Sequence, residues 1–491
     1  MTSSTIRIEK PYCYLSQVIS KLPSHCLINK GITGCGGTTV ELLAPRNSIL
    51  LCPTKNLVLS KENEDYLGVT GDIDNDQIIN YINSKRKYKK IIATYDSLPR
   101  LMEIIPDYEN YFLLIDEYHL LFNDYSFRGE AIMFVLNNFR KFNDWAFLTA
   151  TPLKKEFILE ELKDVDQIVY EWESAIPVNI TLKNTRFVIK ELLQVIEDNQ
   201  DKNIHIFLNS ISTINKIAEK LEDDNYRVLC SENSKRRTRN TAKVTDPVKK
   251  INFYTSCSFE GCDIYDPDGL CVIISDTNIS TTVLDISTKV RQICGRLRDS
   301  KYKDEVILIL NTTTHRYAGK NKDEFSAAVA ESERLGKIKA NTITSFNEDQ
   351  MRAELRTYTP EGYSNIYLNR YKNTIFYDVN LKYLDLYNYD LINEIYHSAI
   401  SVLTECAKNK IKPKCAEIID GFTGFTWIKE KLLKNEYTYE ELKEIFEPLF
   451  PLHGLKWNKK TSINTFFPPY IKKRRTVNGK KYTVYVFSFR M

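Results

Sequence analysis

No apolar run in the chain approaches the ~20 residues that a membrane-spanning helix needs. The first ten residues, Met1 to Lys10, are polar and lack the apolar core of a secretory signal. Both absences lead to the expectation of an intracellular, cytoplasmic protein with no membrane partner. The 11 cysteines include no Cys-x-x-Cys pair, which argues against zinc ribbons. Their odd number and scatter argue against a disulfide framework and fit reduced thiols in a core. Internal repeats and low-complexity tracts are missing as well. Acidic residues are absent from Pro448 to Met491, a stretch that holds ten Lys and Arg. With a net charge of +4 for the whole chain, removing those ten leaves about −6 for the rest. A positive patch confined to one region is an electrostatic footprint for a polyanion such as nucleic acid.

What is present is ordinary globular composition, 43% hydrophobic and 27% charged over 491 residues, enough for about three domains at ~150 residues each. Short apolar runs at 48–53, 90–94, 112–116 and 146–150 read as strands without alternation, which suits parallel strands covered on both faces. Ala131 to Phe142 has helical spacing between two of them. The pattern repeats at 204–208, 252–254, 271–274 and 305–310, with a helical stretch over 212–222. The fold class is therefore α/β, two tandem doubly wound parallel sheets with ligands at the carboxyl ends of the strands. The division expected is 1–176, 177–318, an accessory region at 319–410 to which no chemistry can be assigned, and a basic α+β unit at 411–491. In the last unit Thr438-Tyr439-Glu440-Glu441 is a capping box. Asn478-Gly479 between two strand-like runs signals a hairpin. Together they predict a winged helix with Lys472, Lys473, Arg474, Arg475, Lys480 and Lys481 on the wing.

Two segments carry chemistry. Gly31-Ile32-Thr33-Gly34-Cys35-Gly36-Gly37-Thr38-Thr39 is a glycine-rich loop whose glycines permit positive φ and close backbone approach to phosphate oxygens. Leu113-Leu114-Ile115-Asp116-Glu117-Tyr118-His119 is a buried strand ending in Asp-Glu-x-His. A phosphate loop followed by a strand-borne Asp-Glu pair is the minimal equipment for splitting a nucleoside triphosphate. Where such a loop carries lysine, this chain has Gly37. Lys30 or Lys55 is left to supply that charge from elsewhere.

Taken in order from Leu27 to Arg298, the motifs resemble those of superfamily 2 helicases of the DExH type, with a first motif that lacks its lysine. The resemblance implies two RecA-like domains and ATP with Mg²⁺ in the cleft between them. ATP would be held by Gly34, Cys35, Gly36, Gly37, Thr38, Thr39, Gly261 and Asp263. Thr38 and Asp116 would hold Mg²⁺, and Glu117 would orient or deprotonate the attacking water. Gln292 and Arg296 or Arg298, from Gln292-Ile293-Cys294-Gly295-Arg296-Leu297-Arg298, would complete the catalytic set. His119, Thr149 and Thr151 would couple the nucleotide to the strand. Pro53, Thr54, Lys55, Thr94, Asn209, Ser210 and Thr255 would touch the nucleic-acid backbone. The Gly-Arg-x-Arg ending is similar to that of viral origin-binding helicases. From this follows the expectation of a DNA helicase or translocase in phage or mobile-element replication, with replication proteins as partners and the host cytoplasm as its place. The competing reading is a helicase-like nucleic-acid binder in which Gly37 has silenced hydrolysis.

Overall fold

The computed structural model describes residues 2–487 apart from positions 127, 174, 176–177, 261–262, 314–315, 419–430, 433, 435, 450–456, 458–469 and 478–479. Gly261 and the expected Asn478-Gly479 turn lie outside the described residues.

The first sheet is built from β1 (Ser3–Ile8), β2 (Cys26–Asn29), β3 (Ser48–Cys52), β4 (Tyr66–Val69), β5 (Lys90–Thr94), β6 (Phe112–Asp116), β7 (Asp144–Thr149) and β8 (Asp166–Trp172). Its order is β1-β8-β2-β7-β6-β3-β5-β4, and every pairing is parallel. The apolar runs now have a cause. Successive side chains of a strand point to opposite faces. In β6, Leu113 and Ile115 enter one core layer while Phe112 and Leu114 enter the other. β3 divides in the same way, with Ile49 and Leu51 on one side and Leu50 and Cys52 on the other. A strand buried on both faces cannot alternate with polar residues.

The second sheet starts with β9 (Val178–Asn184), β10 (Asn203–Phe207), β11 (Tyr226–Leu229), β12 (Ile251–Tyr254), β13 (Gly269–Ser275) and β14 (Glu305–Leu310). The chain then leaves the sheet through a capped helix, Lys322–Thr344, and a small antiparallel hairpin, β15 (Leu368–Tyr371) and β16 (Thr374–Tyr377). It returns as β17 (Ile411–Ile418), parallel to β9, to give the order β11-β12-β10-β13-β14-β9-β17. Residues 411–418 therefore belong to the second lobe's sheet and not to the C-terminal unit, a difference from the division expected at 411. β17 carries Pro413 at a register shift, which an edge strand tolerates because one side of its ladder needs no donor.

The accessory region is a strut. Helix Val379–Tyr389 runs on through Asp390–Ile395 and lies against both lobes. Toward the first lobe, Tyr387 meets Phe122 and Phe157 edge-on with ring centroids 5.4 and 5.3 Å away. Asn380 Oδ1 accepts from the Glu160 amide at 2.9 Å, and Lys154 pairs with Asp390 at 2.5 Å. Toward the second lobe, the Tyr387 hydroxyl donates to Asp285 Oδ2 at 2.5 Å. Tyr396, fully buried, donates to the Leu284 carbonyl at 2.7 Å.

At the C-terminus β18 (Glu436–Thr438), β19 (Tyr470–Val477) and β20 (Lys480–Phe487) form an antiparallel sheet in the order β18-β20-β19. Thr438 and Glu441 make the expected capping box for helix Tyr439–Phe446, which buries Leu442 and Phe446. The basic residues of β19 do not share one surface. Strand alternation puts Lys472 and Arg474 on one face and Lys473 and Arg475 on the other, and Arg475 is paired with Glu436 at 2.7 Å. Lys481 is exposed on β20; the Lys480 side chain lies outside the described residues. No helix among the described residues is long and apolar enough to cross a membrane.

Candidate nucleotide site between the lobes

The glycine loop leaves the carboxyl end of β2 and enters helix Gly37–Leu43. Gly31, Gly34 and Gly36 have φ of 77, 74 and 76°, the left-handed region in which a side chain is strained. Space is also short at two of them. A Cβ on Gly31 would lie 2.2 Å from the Tyr170 carbonyl oxygen, and one on Gly34 would lie 2.2 Å from Arg298 Nη1. Cys35 is buried and its carbonyl accepts from the Leu15 amide at 2.8 Å, which ties residues 14–17 to the loop. Thr39 is exposed.

The end of β6 faces this loop. Thr38 donates its hydroxyl to Asp116 Oδ2 at 2.9 Å. Asp116 is held from behind by the Tyr95 hydroxyl, which donates to its carbonyl at 2.7 Å. Glu117 follows with φ +50°, a conformation that costs a non-glycine residue roughly 1–3 kcal/mol and persists where surroundings over-determine it. They do so here. Glu117 Oε1 accepts from Lys30 Nζ at 3.1 Å; Oε2 accepts from Thr149 Oγ1 at 3.0 Å and from Gln292 Nε2 at 2.8 Å. Burial opposes its charge, but the Lys30 ammonium outweighs burial and holds the carboxyl below its ordinary range.

Because Thr149 gives its proton to Glu117, the contact of 2.9 Å between His119 Nδ1 and Thr149 Oγ1 requires Nδ1–H. Burial pushes His119 down to about 4, so it is neutral at pH 7. Its Nε2 is buried without a partner. Thr151 is joined to the same network: its amide donates to Thr149 Oγ1 at 3.1 Å, and its hydroxyl accepts from Gln292 at 3.1 Å.

The second lobe supplies the other wall. Gln292 bridges Glu117 and Thr151, and Arg291 Nη2 donates to the Gly31 carbonyl at 2.5 Å. The two arginines divide. Arg296 is 4% exposed and folds back on Gln292, through Nε to its carbonyl at 2.9 Å and Nη2 to its Oε1 at 3.1 Å. Arg298 is the one laid against the loop at Gly34, and Asp263 Oδ1 holds its Nε and Nη2 at 2.9 and 2.6 Å. A crevice of about 700 Å³ opens beside the loop, lined among others by Gly31, Thr33, Trp172, Arg291, Gly295 and Arg298.

The residues expected at the strand ends for a polymer backbone lie where the sequence placed them, at the carboxyl edges of both sheets. Several have local work. Thr54 caps helix Lys55–Lys61 and Ser210 caps helix Ile211–Ala218. The Pro53 carbonyl accepts from Arg128 Nη1 at 2.5 Å. Lys55 pairs with Asp72, away from the loop. Thr94 shares a hydrogen bond with Ser97 at 2.9 Å. Asn209 joins Thr281 and Ser256, at 2.9 and 3.1 Å, and Thr255 donates to the Leu229 carbonyl at 3.2 Å.

Sequence reading passed over Tyr95, Thr33, Arg291 and Glu260. All four stood inside or beside segments already singled out, Arg291 directly before Gln292, with nothing in the spacing to mark them. Glu260 is 5% exposed with Oε1 unpartnered, and burial raises it to about 7 against the pull of Lys289 and Arg296; Asp124 and Glu117 push the same way as burial. A carboxyl raised in the fold costs nothing below its unfolded value near 4.5; its cost grows as pH climbs from there to about 7 and levels off above. Glu260→Gln is therefore expected to raise stability at pH 8 by on the order of 2–3 kcal/mol. The gain should shrink toward pH 5 in thermal melts; an equal gain at both values would contradict the assignment.

No protein-family model matches the chain, and no curated protein sequence matches it. Among solved structures, S. cerevisiae Dbp5 bound to RNA and ADP BeF3 is similar over 65% of this chain and 85% of its own, with 13% identity and a TM-score of 0.41. A point variant of S. cerevisiae Dbp5 bound to a gle1 variant and IP6 is similar over 64% and 82%, with 14% identity and a TM-score of 0.39. The yeast DEAD-box splicing factor Prp28 is similar over 71% and 82%, with 15% identity and a TM-score of 0.23. The likeness is distant and concerns the fold alone: two parallel α/β sheets in tandem.

Proposed function

We propose that the chain is a nucleic-acid-dependent nucleoside triphosphatase of the helicase class, binding ATP with Mg²⁺ between its two lobes. The observation that carries this reading is the convergence on one carboxylate. Glu117 is held by Lys30 and Thr149 from the first lobe and by Gln292 from the second. The Thr38–Asp116 pair fits Mg²⁺, a cation that takes one or two protein oxygens and completes its shell with phosphate and water. When bound, the metal would neutralise charge on the outer phosphates. The chain's own groups do the rest. Backbone amides of the loop cradle phosphate oxygens, and Glu117 accepts the proton side of the attacking water. Water adds to the terminal phosphorus, the bond to the bridging oxygen breaks, and ADP leaves with that oxygen's charge. Arg298, lying on the loop, is better placed than Arg296 to meet charge developing on the phosphates. Arg296 is the residue that fixes Gln292.

The work of the cycle would be a change in each lobe's hold on a single strand across the carboxyl edges of both sheets. DNA, a phage origin and a replication role, all expected from the sequence, have no support in the structure, so the strand is left as single-stranded nucleic acid. The test is steady-state phosphate release with and without single-stranded RNA and DNA of mixed sequence. Stimulation of about tenfold or more by one polymer, weakened by added salt as phosphate contacts require, is the expected result. Absence of hydrolysis with strand binding intact would establish the silent binder instead.

A further inference from the structure

The loop lacks its lysine, yet the pocket does not lack an ammonium. Lys30, the first residue after β2, is 6% exposed and places Nζ 3.1 Å from Glu117 Oε1 and 3.8 Å from Asp116 Oδ1. Its backbone is fixed on both sides. The amide donates to the Thr149 carbonyl at 2.8 Å, and the carbonyl accepts from Trp172 Nε1 at 2.7 Å and from Cys35 Sγ at 3.7 Å. The stem of Lys30 passes directly over position 37. A Cβ built on Gly37 would lie 3.3 Å from Lys30 Cδ and 3.0 Å from Leu148 Cδ2, closer than nearly all real Cβ contacts. Gly37 has no positive φ, so its conformation does not demand glycine; the space beside it is tight, and a Cβ there would require Leu148 or Lys30 to give by a few tenths of an ångström. The other sequence candidate, Lys55, is engaged by Asp72, with both side chains open to solvent.

We propose that Lys30 is the phosphate-binding lysine of this chain, reaching the outer phosphates from the end of β2, and that Gly37 is bare to let its side chain through. The inference rests on reading the site as a triphosphate pocket. Without nucleotide the ammonium pairs with Glu117 and stands beside Asp116, offsetting part of their joint charge. With Mg²⁺ held at Asp116, the same ammonium would be released to pair with a phosphate oxygen. The arrangement relocates a charge along the sequence, from position 37 to position 30, without moving it out of the pocket.

The test is a swap on the full chain. Wild type, Lys30→Met, Gly37→Lys, the double variant Lys30→Ala/Gly37→Lys, and Glu117→Gln are compared for Mg·ATP and Mg·ADP affinity by fluorescent-nucleotide titration, for phosphate release, and for Tm. Lys30→Met is expected to lose about 100-fold in hydrolysis and to weaken ATP more than ADP, a discrimination that a merely structural ion pair would not produce. Gly37→Lys alone is expected to lower the rate, because two stems compete for one channel. The double variant should recover most of it. Wild-type hydrolysis in Lys30→Met, or a faster Gly37→Lys enzyme, would overturn the inference while an inactive Glu117→Gln leaves the triphosphatase reading standing. If Lys30→Met does not fold, the Gly37→Lys and double variants decide alone. A wild-type chain that binds no Mg·ATP would remove both readings.

Discussion

Glu117→Gln is expected to lower phosphate release by about 100-fold or more while leaving nucleotide affinity within a few-fold of wild type. The native carboxylate offers one oxygen to Lys30 and the other to Thr149 and Gln292. Glutamine has one acceptor oxygen, so its amide nitrogen must face either the ammonium or a pair of donors. The variant therefore loses both the acceptor that would receive a water proton and one side of the link between the lobes. The second loss should cost about 1–3 kcal/mol of stability. Single-turnover hydrolysis separates the two effects, since a purely structural Glu117 would alter the melting curve and not the chemical step. Native-rate turnover in Glu117→Gln would remove the assignment.

The largest stability effect is expected at Tyr387. Tyr387→Ala removes a ring wedged between Phe122 and Phe157 and deletes the donor to Asp285. Aromatic truncations at packed sites cost about 3–5 kcal/mol. Tyr387→Phe keeps the ring and should cost only the hydrogen bond, about 1–3 kcal/mol. Asp285 also accepts from the amides of Ser287 and Thr288, at 2.6 and 3.3 Å, at the start of the helical segment that carries Gln292 and leads to Arg298. Denaturant unfolding of both variants reads the difference. Equal losses in the two would mean that the ring contributes nothing.

Legibility followed burial. β3, β5, β6, β7, β10, β13 and β14 stood out because two covered faces leave no room for polar alternation. β1, β8, β9 and β17 did not: they are partly exposed and mix polar with apolar residues. Their positions are fixed by pairing across the chain, Ser3 with Gln167 and Ile411 with Val178. The strut escaped for a related reason. A half-buried helix that meets two lobes at once has no single apolar stripe. In the site, the loop, Asp116, Glu117 and Gln292 were readable because each motif is contiguous. The division of labour between Arg296 and Arg298 was not, since Gly-Arg-x-Arg offers both side chains and gives a direction to neither. Nor was the tight space beside Gly37, where a Cβ would lie 3.0 Å from Leu148 Cδ2 and 3.3 Å from Lys30 Cδ.

The return of the chain as β17 has a consequence for how this protein can be taken apart. β17 covers the outer ladder of β9, and Tyr396, Val402, Cys406 and Ile411 fill the layer beneath. A fragment cut after β14 would bare that ladder together with its apolar floor, the kind of edge that pairs with other chains. The second lobe is thus not a severable module; its boundary is completed by a strand translated long after the rest of its sheet.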